Sequence, residues 1–178
     1  MKKKLTQKEL DIKLEELETD FRYLDLSCLS FRQVDLRGAN FSGCTLKGTD
    51  FSQTELPYAD FSNTNLKGAN FTRAYLVSAS FSQPCFLTEA CFEGASLRYA
   101  YLKGVFASNA NFKGANLKRV NLDGSVLIGA NLRDTNLYMA SLFEAYTGGV
   151  DFSGADLTGA NFEGVNTTLT DIKELNKC

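Results

Sequence analysis

A large apolar side chain, phenylalanine or leucine, recurs at nearly every fifth residue, from Phe21, Leu26 and Phe31 through to Leu157 and Phe162. An amphipathic helix returns to one face every three or four residues and a half-buried strand every two, so neither holds a period of five. Two residues before each large side chain stands a small or short one, as in Val34, Ala39, Cys44, Thr49, Thr54 and Ala59. In Ala69-Asn70-Phe71-Thr72-Arg73 an extended conformation at Asn70 sends Ala69 and Phe71 to one side and Asn70 to the other. The two residues that follow must then turn the chain. Glycine fills the last position of many units, among them Gly38, Gly68, Gly114 and Gly154, as a repeated corner requires. Such corners bring the chain back over itself, with stacked backbones about 4.8 Å apart and an interior filled by the large and small inward residues.

Units such as Ala39-Asn40-Phe41-Ser42-Gly43, Ala115-Asn116-Leu117-Lys118-Arg119 and Ala155-Asp156-Leu157-Thr158-Gly159 resemble the A(D/N)LXX unit of the pentapeptide-repeat family, and such units run over about four-fifths of the chain. The resemblance implies an all-β solenoid, a right-handed quadrilateral β-helix with four units per coil. Residues twenty apart then stack, and roughly seven coils give a rod on the order of 35 Å long. Phe and Leu alternate without error from Phe21 to Phe81, which in that geometry sets Phe against Phe and Leu against Leu. Members of the family include DNA-mimicking regulators of DNA gyrase and factors in cyanobacterial differentiation, so the resemblance implies a fold without one activity.

The organisation reads as one continuous domain. A helical cap over 1–20 precedes a first repeat block at 21–86, a register insertion or bulge at 87–91, a second block at 92–166, and a C-terminal helical cap or tail at 167–178. Phe86 is taken as the last inward residue of the first block, because Phe92 follows it by six residues; Pro84, without an amide donor, marks the irregularity. Thr6 and Glu9 form a capping-box pair, and Leu10, Leu14 and Leu17 recur at helical spacing. They predict a helix over 7–18 that covers the open edge of the first coil. Leu169, Ile172 and Leu175 predict a smaller cover at the other end, with Cys178 a frayed terminal thiol.

The absence of histidine excludes zinc sites that need one and any serine-histidine or cysteine-histidine nucleophile pair. Five cysteines at irregular spacing make no disulfide framework. No phosphate-loop or dinucleotide-binding glycine pattern occurs. The expectation is therefore a protein with no catalytic residue, metal or cofactor, and not an enzyme. Charged or amide residues interrupt every apolar cluster, so neither a secretory leader nor a membrane span is expected, and the cytoplasm is the default location. The formal charge is -2, and residues 21–166 hold 12 Lys or Arg against 13 Asp or Glu. That balance argues against direct nucleic-acid binding.

A non-catalytic interaction or scaffold protein with an unidentified protein partner is the leading expectation. The alternative is a DNA-mimicking regulator or inhibitor of DNA gyrase. Asp35, Glu55, Asp60, Asp151 and Asp156 should project outward as a mimic needs, but Arg22, Arg32, Arg37, Lys47, Lys67 and Arg73 interrupt them.

Two sets of surface residues stand out. Phe106, Val126 and Tyr146 precede the central residues Ala107, Leu127 and Thr147, where most units have Asn, Asp or Ser. Either Phe106 and Tyr146 turn inward and replace the volume missing at Ala107 and Thr147, or all three stay outside with Ile128 as a partner-binding stripe. The coincidence of the two aromatics with the two undersized central residues favours the inward reading. The second set, Arg98, Lys118 and Tyr138 beside Tyr99, Arg119 and Met139, stacks at a spacing of twenty. It suits an acidic peptide or a short nucleic acid, but reads first as an ordinary solvated face.

Overall fold

Units pair with the unit twenty residues further on, or twenty-one across a single insertion. The computed structural model describes residues 2–82 and 84–167, and over that span single parallel bridges join Asp20 to Asn40, Asn40 to Asp60, Asp25 to Thr45 and Asp35 to Glu55. The bonding repeats: the amide of Phe41 donates to the Asp60 carbonyl at 2.7 Å, and the amide of Asn40 to the Thr19 carbonyl at 2.7 Å. Each bridge is one residue long because the next two residues turn, and the turn closes where the small inward residue donates back to the preceding large one, as Ala39 does to Leu36 at 3.0 Å.

This corrects the expected fold class. Among the described residues no bridge extends into a β-strand, no sheet forms, and the only regular element is one short α-helix. The expected all-β solenoid, a right-handed quadrilateral β-helix, is not what the chain builds. A corner every five residues leaves too little extended backbone for a strand. The structure is a stack of turns tied by isolated bridges.

The inward pattern is observed as the repeat requires. Phe21, Phe31, Phe41, Phe51, Phe61, Phe71 and Phe81 are fully buried, as are Leu26, Leu46, Leu56, Leu66 and Leu76. Phenylalanine rings one coil apart lie parallel at 4.8–5.0 Å, as Phe51 and Phe71 do at 4.9 Å and Phe71 and Phe92 at 4.8 Å. Rings two units apart meet edge to face, Phe61 and Phe71 at 5.6 Å. Buried hydroxyls among the small residues bond to backbone, Ser125 excepted: Thr49 donates to the Leu26 carbonyl at 2.9 Å and Thr54 to the Phe31 carbonyl at 2.8 Å.

The extra residue sits earlier than the sequence suggests. Bridges change from a spacing of twenty at Asp60–Ser80 to twenty-one at Asn65–Phe86, and the wider spacing persists through Ser80–Tyr101 before twenty returns at Phe86–Phe106. Leu87 is buried as the central residue and Phe86 is exposed. The insertion therefore falls between Phe81 and Leu87, and residues 87–91 form an ordinary unit. Were Phe86 central, Pro84 would hold the small inward position and would have to donate the turn-closing bond, which proline cannot do. Cys85 takes that position instead, fully buried.

At the N-terminal end, α1 (Gln7–Glu15) begins with the expected capping box between Thr6 and Glu9. It is shorter than the 7–18 expected. The chain leaves the helix at Glu16, and Leu17 adopts a positive φ of 57° that carries it off the apolar stripe to 84% exposure. Leu10 is buried and Leu14 packs against the core. Two edge groups of the first coil are closed in ways the sequence does not signal: Lys4 bridges Asp25, and the Gln7 side-chain amide both donates to the Ser30 carbonyl at 3.0 Å and accepts from its amide at 2.8 Å. The expected C-terminal cap, with Leu169, Ile172, Leu175 and Cys178, lies outside the described residues.

Phe71→Ala removes a ring held by Phe51, Phe61, Phe81 and Phe92, and is expected to cost about 3–5 kcal/mol in urea unfolding. A midpoint unchanged from wild type would contradict this packing.

Candidate functional site

The bridge residue of each unit is the most constrained outward position. Phe106 donates to the Cys85 carbonyl at 3.0 Å, and Ala107 donates to the Val126 carbonyl at 2.8 Å. With both backbone neighbours fixed, the Ala107 methyl points in and the Phe106 ring must point out. Phe106 is 42% and Tyr146 47% exposed, while Ala107 and Thr147 are fully buried. The inward, core-filling reading of the two aromatics is thereby corrected.

Phe106, Val126 and Tyr146 are instead brought together in one bridged column, and Ile128 is exposed two residues beyond Val126. The column also contains Phe86, which the sequence reading assigned to the core. Its ring stacks on Phe106 at 5.3 Å and 15°. Counting twenty back from Phe106 reaches Phe86, so the signal was present in the spacing. The stripe spans four rungs, on the order of 15 Å. Thr88, Ser108, Ile128 and Gly148 follow it on one flank; Lys103, Asp123 and Glu144 stand at the preceding corner, and Glu89, next to Thr88, lies 3.7 Å from Lys67 one coil away.

The cationic set is likewise assembled as two neighbouring columns. The Tyr99 amide donates to the Lys118 carbonyl at 3.1 Å and the Arg119 amide to the Tyr138 carbonyl at 3.0 Å. Arg98 lies 5.6 Å from the Tyr99 ring centroid, Lys118 lies 4.7 Å from that of Tyr138, and Arg119 donates to the Met139 sulfur at 3.5 Å. Tyr75 bridges Ser96 at the lower end of this side, and Tyr101 adds a further exposed ring.

Three outward carboxylates are neutralised locally, whereas Glu55, Asp60 and Asp156 make no ion pair among the described residues. Asp20 pairs with Arg22 at 2.7 Å, Asp35 with Arg37 at 2.9 Å and Asp151 with Arg133 at 3.2 Å. The Arg22 side-chain hydrogen bond holds the Asp20 carboxyl below its ordinary range, as Arg37 does for Asp35. Among the described residues no group of three His, Cys, Asp or Glu side chains could hold a metal. With no histidine in the sequence, neither a serine-histidine nor a cysteine-histidine pair can be built. No helix among the described residues is long and apolar enough to cross a membrane.

Sequence comparison matches a pentapeptide repeat region over residues 17–84, and pentapeptide repeats (8 copies) over 90–127, 110–146 and 140–170. The chain belongs to the pentapeptide-repeat proteins. No curated protein matches it by sequence. Among solved structures, full-length QnrB1, a plasmid-mediated fluoroquinolone resistance protein, is 20% identical, with 98% of this chain and 92% of that one covered at a TM-score of 0.51. HetL, a pentapeptide repeat protein involved in heterocyst differentiation regulation in the cyanobacterium Nostoc, is 24% identical, with 92% and 97% covered at 0.29. A pentapeptide repeat protein of the Arabidopsis thaliana thylakoid lumen is 24% identical, with 68% and 71% covered at 0.40. The QnrB1 likeness shows a shared fold; the other two carry no further argument.

The thiols divide by burial. Burial pushes Cys44 up to about 11 and Cys85 up to about 12, whereas Cys28 is exposed. In the native protein at neutral pH, iodoacetamide is expected to label Cys28 and to spare Cys44 and Cys85 until denaturant is added, as mapped by mass spectrometry. Labelling of Cys85 as fast as Cys28 would contradict its place in the core.

Proposed function

We propose that the protein works by binding another protein through the column Phe86, Phe106, Val126 and Tyr146, with Ile128 beside it. The observation that carries this reading is the exposure of Phe86, Phe106 and Tyr146 at 42–47% in one bridged column, with the uncharged Thr88, Ser108, Ile128 and Gly148 along one flank. Exposed aromatic rings that contribute nothing to the core are a cost to solubility unless something covers them. Their rigid placement leaves little side-chain entropy to lose on binding. The combined variant Phe106→Ser/Tyr146→Ser is expected to lose a partner that wild type captures reproducibly, with its thermal unfolding within a few degrees of wild type. Retention of that partner by the folded variant would remove the stripe from the binding surface.

A second reading makes DNA gyrase the partner, in the cytoplasm. Its support is the fold shared with QnrB1, a fluoroquinolone resistance protein, over nearly the full length of both chains, together with the gyrase regulators found in the family. Imitation of duplex DNA is the weaker form of this reading, because Asp20, Asp35 and Asp151 are each paired with an arginine. Direct contact through the apolar column is the stronger form. Added to purified gyrase, the protein is expected either to inhibit supercoiling or to raise the fluoroquinolone concentration needed to stop it. No effect on either at molar excess would exclude gyrase and leave the general reading standing.

A further inference from the structure

We infer that the side of the coil carrying Arg98, Tyr99, Lys118 and Arg119 binds a short acidic segment of a partner protein, at a site separate from the apolar column. Three cations, Arg98, Lys118 and Arg119, share one corner in two successive coils, and none of them makes an ion pair among the described residues. Elsewhere arginines do meet carboxylates, as Arg22, Arg37 and Arg133 show. The difference lies in the bridge column. Asp35 and Glu55 occupy it lower on this side, but Tyr75, Ser96, Asn116 and Asn136 follow, and a carboxylate returns only at Asp156. A cationic window is thus framed above and below by acids.

The cations are also held in place. Arg98 and Lys118 rest against the rings of Tyr99 and Tyr138, and Arg119 against Met139. A head group positioned by an aromatic ring loses less freedom when a carboxylate arrives. Tyr75, Tyr99 and Tyr101, exposed at 42–45%, add phenol hydroxyls that donate to carboxylate oxygens and ring faces for apolar neighbours.

The acidic frame selects a protein segment over nucleic acid. A phosphate chain gains affinity in proportion to the number of phosphates neutralised, and one long enough to gain much would run past the window onto Glu55 or Asp156. An extended peptide places alternate side chains about 6.6–6.8 Å apart on one face, so a few acidic residues fill the window without leaving it.

Fluorescence anisotropy with a labelled peptide of alternating glutamate and alanine tests this directly. Wild type is expected to bind it, more weakly as salt rises, and to ignore the lysine–alanine counterpart. Arg98→Gln/Lys118→Gln/Arg119→Gln is expected to lose about tenfold or more in affinity. Arg32→Gln/Lys47→Gln/Lys113→Gln, which removes equal charge elsewhere, is expected to bind as wild type. Phe106→Ser/Tyr146→Ser should also retain the peptide, which keeps this result distinct from the fate of the apolar column. The inference is overturned if wild type does not bind the peptide, if both triple variants weaken equally, or if labelled oligothymidylate binds more tightly than the peptide.

Discussion

One spacing governs the molecule. Backbones bridged in parallel lie about 4.8 Å apart, and phenylalanine rings twenty residues apart stack at 4.9–5.0 Å in the first block. Main chain and core therefore ask for the same rise. A phenylalanine that stacks on its neighbour also holds its own bridge in register, and each bridge fixes which way the next side chain points. This coupling explains how bridges one residue long suffice. None has a strand's cooperativity, but nearly every bridge is backed by a packed ring or leucine beneath it, Ala107 and Thr147 being among the exceptions.

The corners make the second demand. The last residue of a unit takes a positive φ whether or not it is glycine: Gly38 at 69°, but also Tyr23 at 61°, Gln33 at 60°, Arg73 at 56° and Tyr99 at 60°. A left-handed conformation costs a non-glycine residue about 1–2 kcal/mol. Amides at these corners nonetheless donate to the next coil, Arg73 to the Glu93 carbonyl at 2.9 Å and Gln53 to the Thr72 carbonyl at 2.9 Å. Stacking thus offsets strain that an isolated unit could not bear. At Gly43 the absence of a side chain is needed for space as well, since an added Cβ would lie 2.5 Å from the Tyr23 ring.

Much of this was legible in the sequence. The five-residue period identified the inward residues, because volume at a repeated position is visible in composition alone. Three features were not. The distinction between a ladder of strands and a chain of single bridges depends on how much backbone stays extended between corners, and residue identity does not report that. The position of the insertion was obscured because Phe86 and Leu87 are both large and apolar; the missing amide of Pro84 and the spacing of twenty from Phe86 to Phe106 decide between them. The outward course of Phe106 and Tyr146 was misjudged by weighing the small volume of Ala107 and Thr147 above the backbone bonds that fix the alternation.

Those same bonds give meaning to the exceptions on the surface. At most bridge positions Asp or Asn accepts from the amide two residues on: Asn40 from Ser42 at 2.9 Å, Asp50 from Ser52 at 2.9 Å, Asn70 from Thr72 at 3.0 Å. The recurrent carboxylates and amides are therefore parts of the corner, which is why they mark no acid-base pair. Phenylalanine, valine and tyrosine cannot accept that bond. At Phe86, Phe106, Val126 and Tyr146 the corner gives up a contact typically worth about 1 kcal/mol. The exchange gains the Phe86–Phe106 stack at 5.3 Å, yet the rings at 86, 106 and 146 remain 42–47% exposed. In a molecule so regular, a run of four such substitutions in one column is the pattern expected of the partner-binding surface proposed for it.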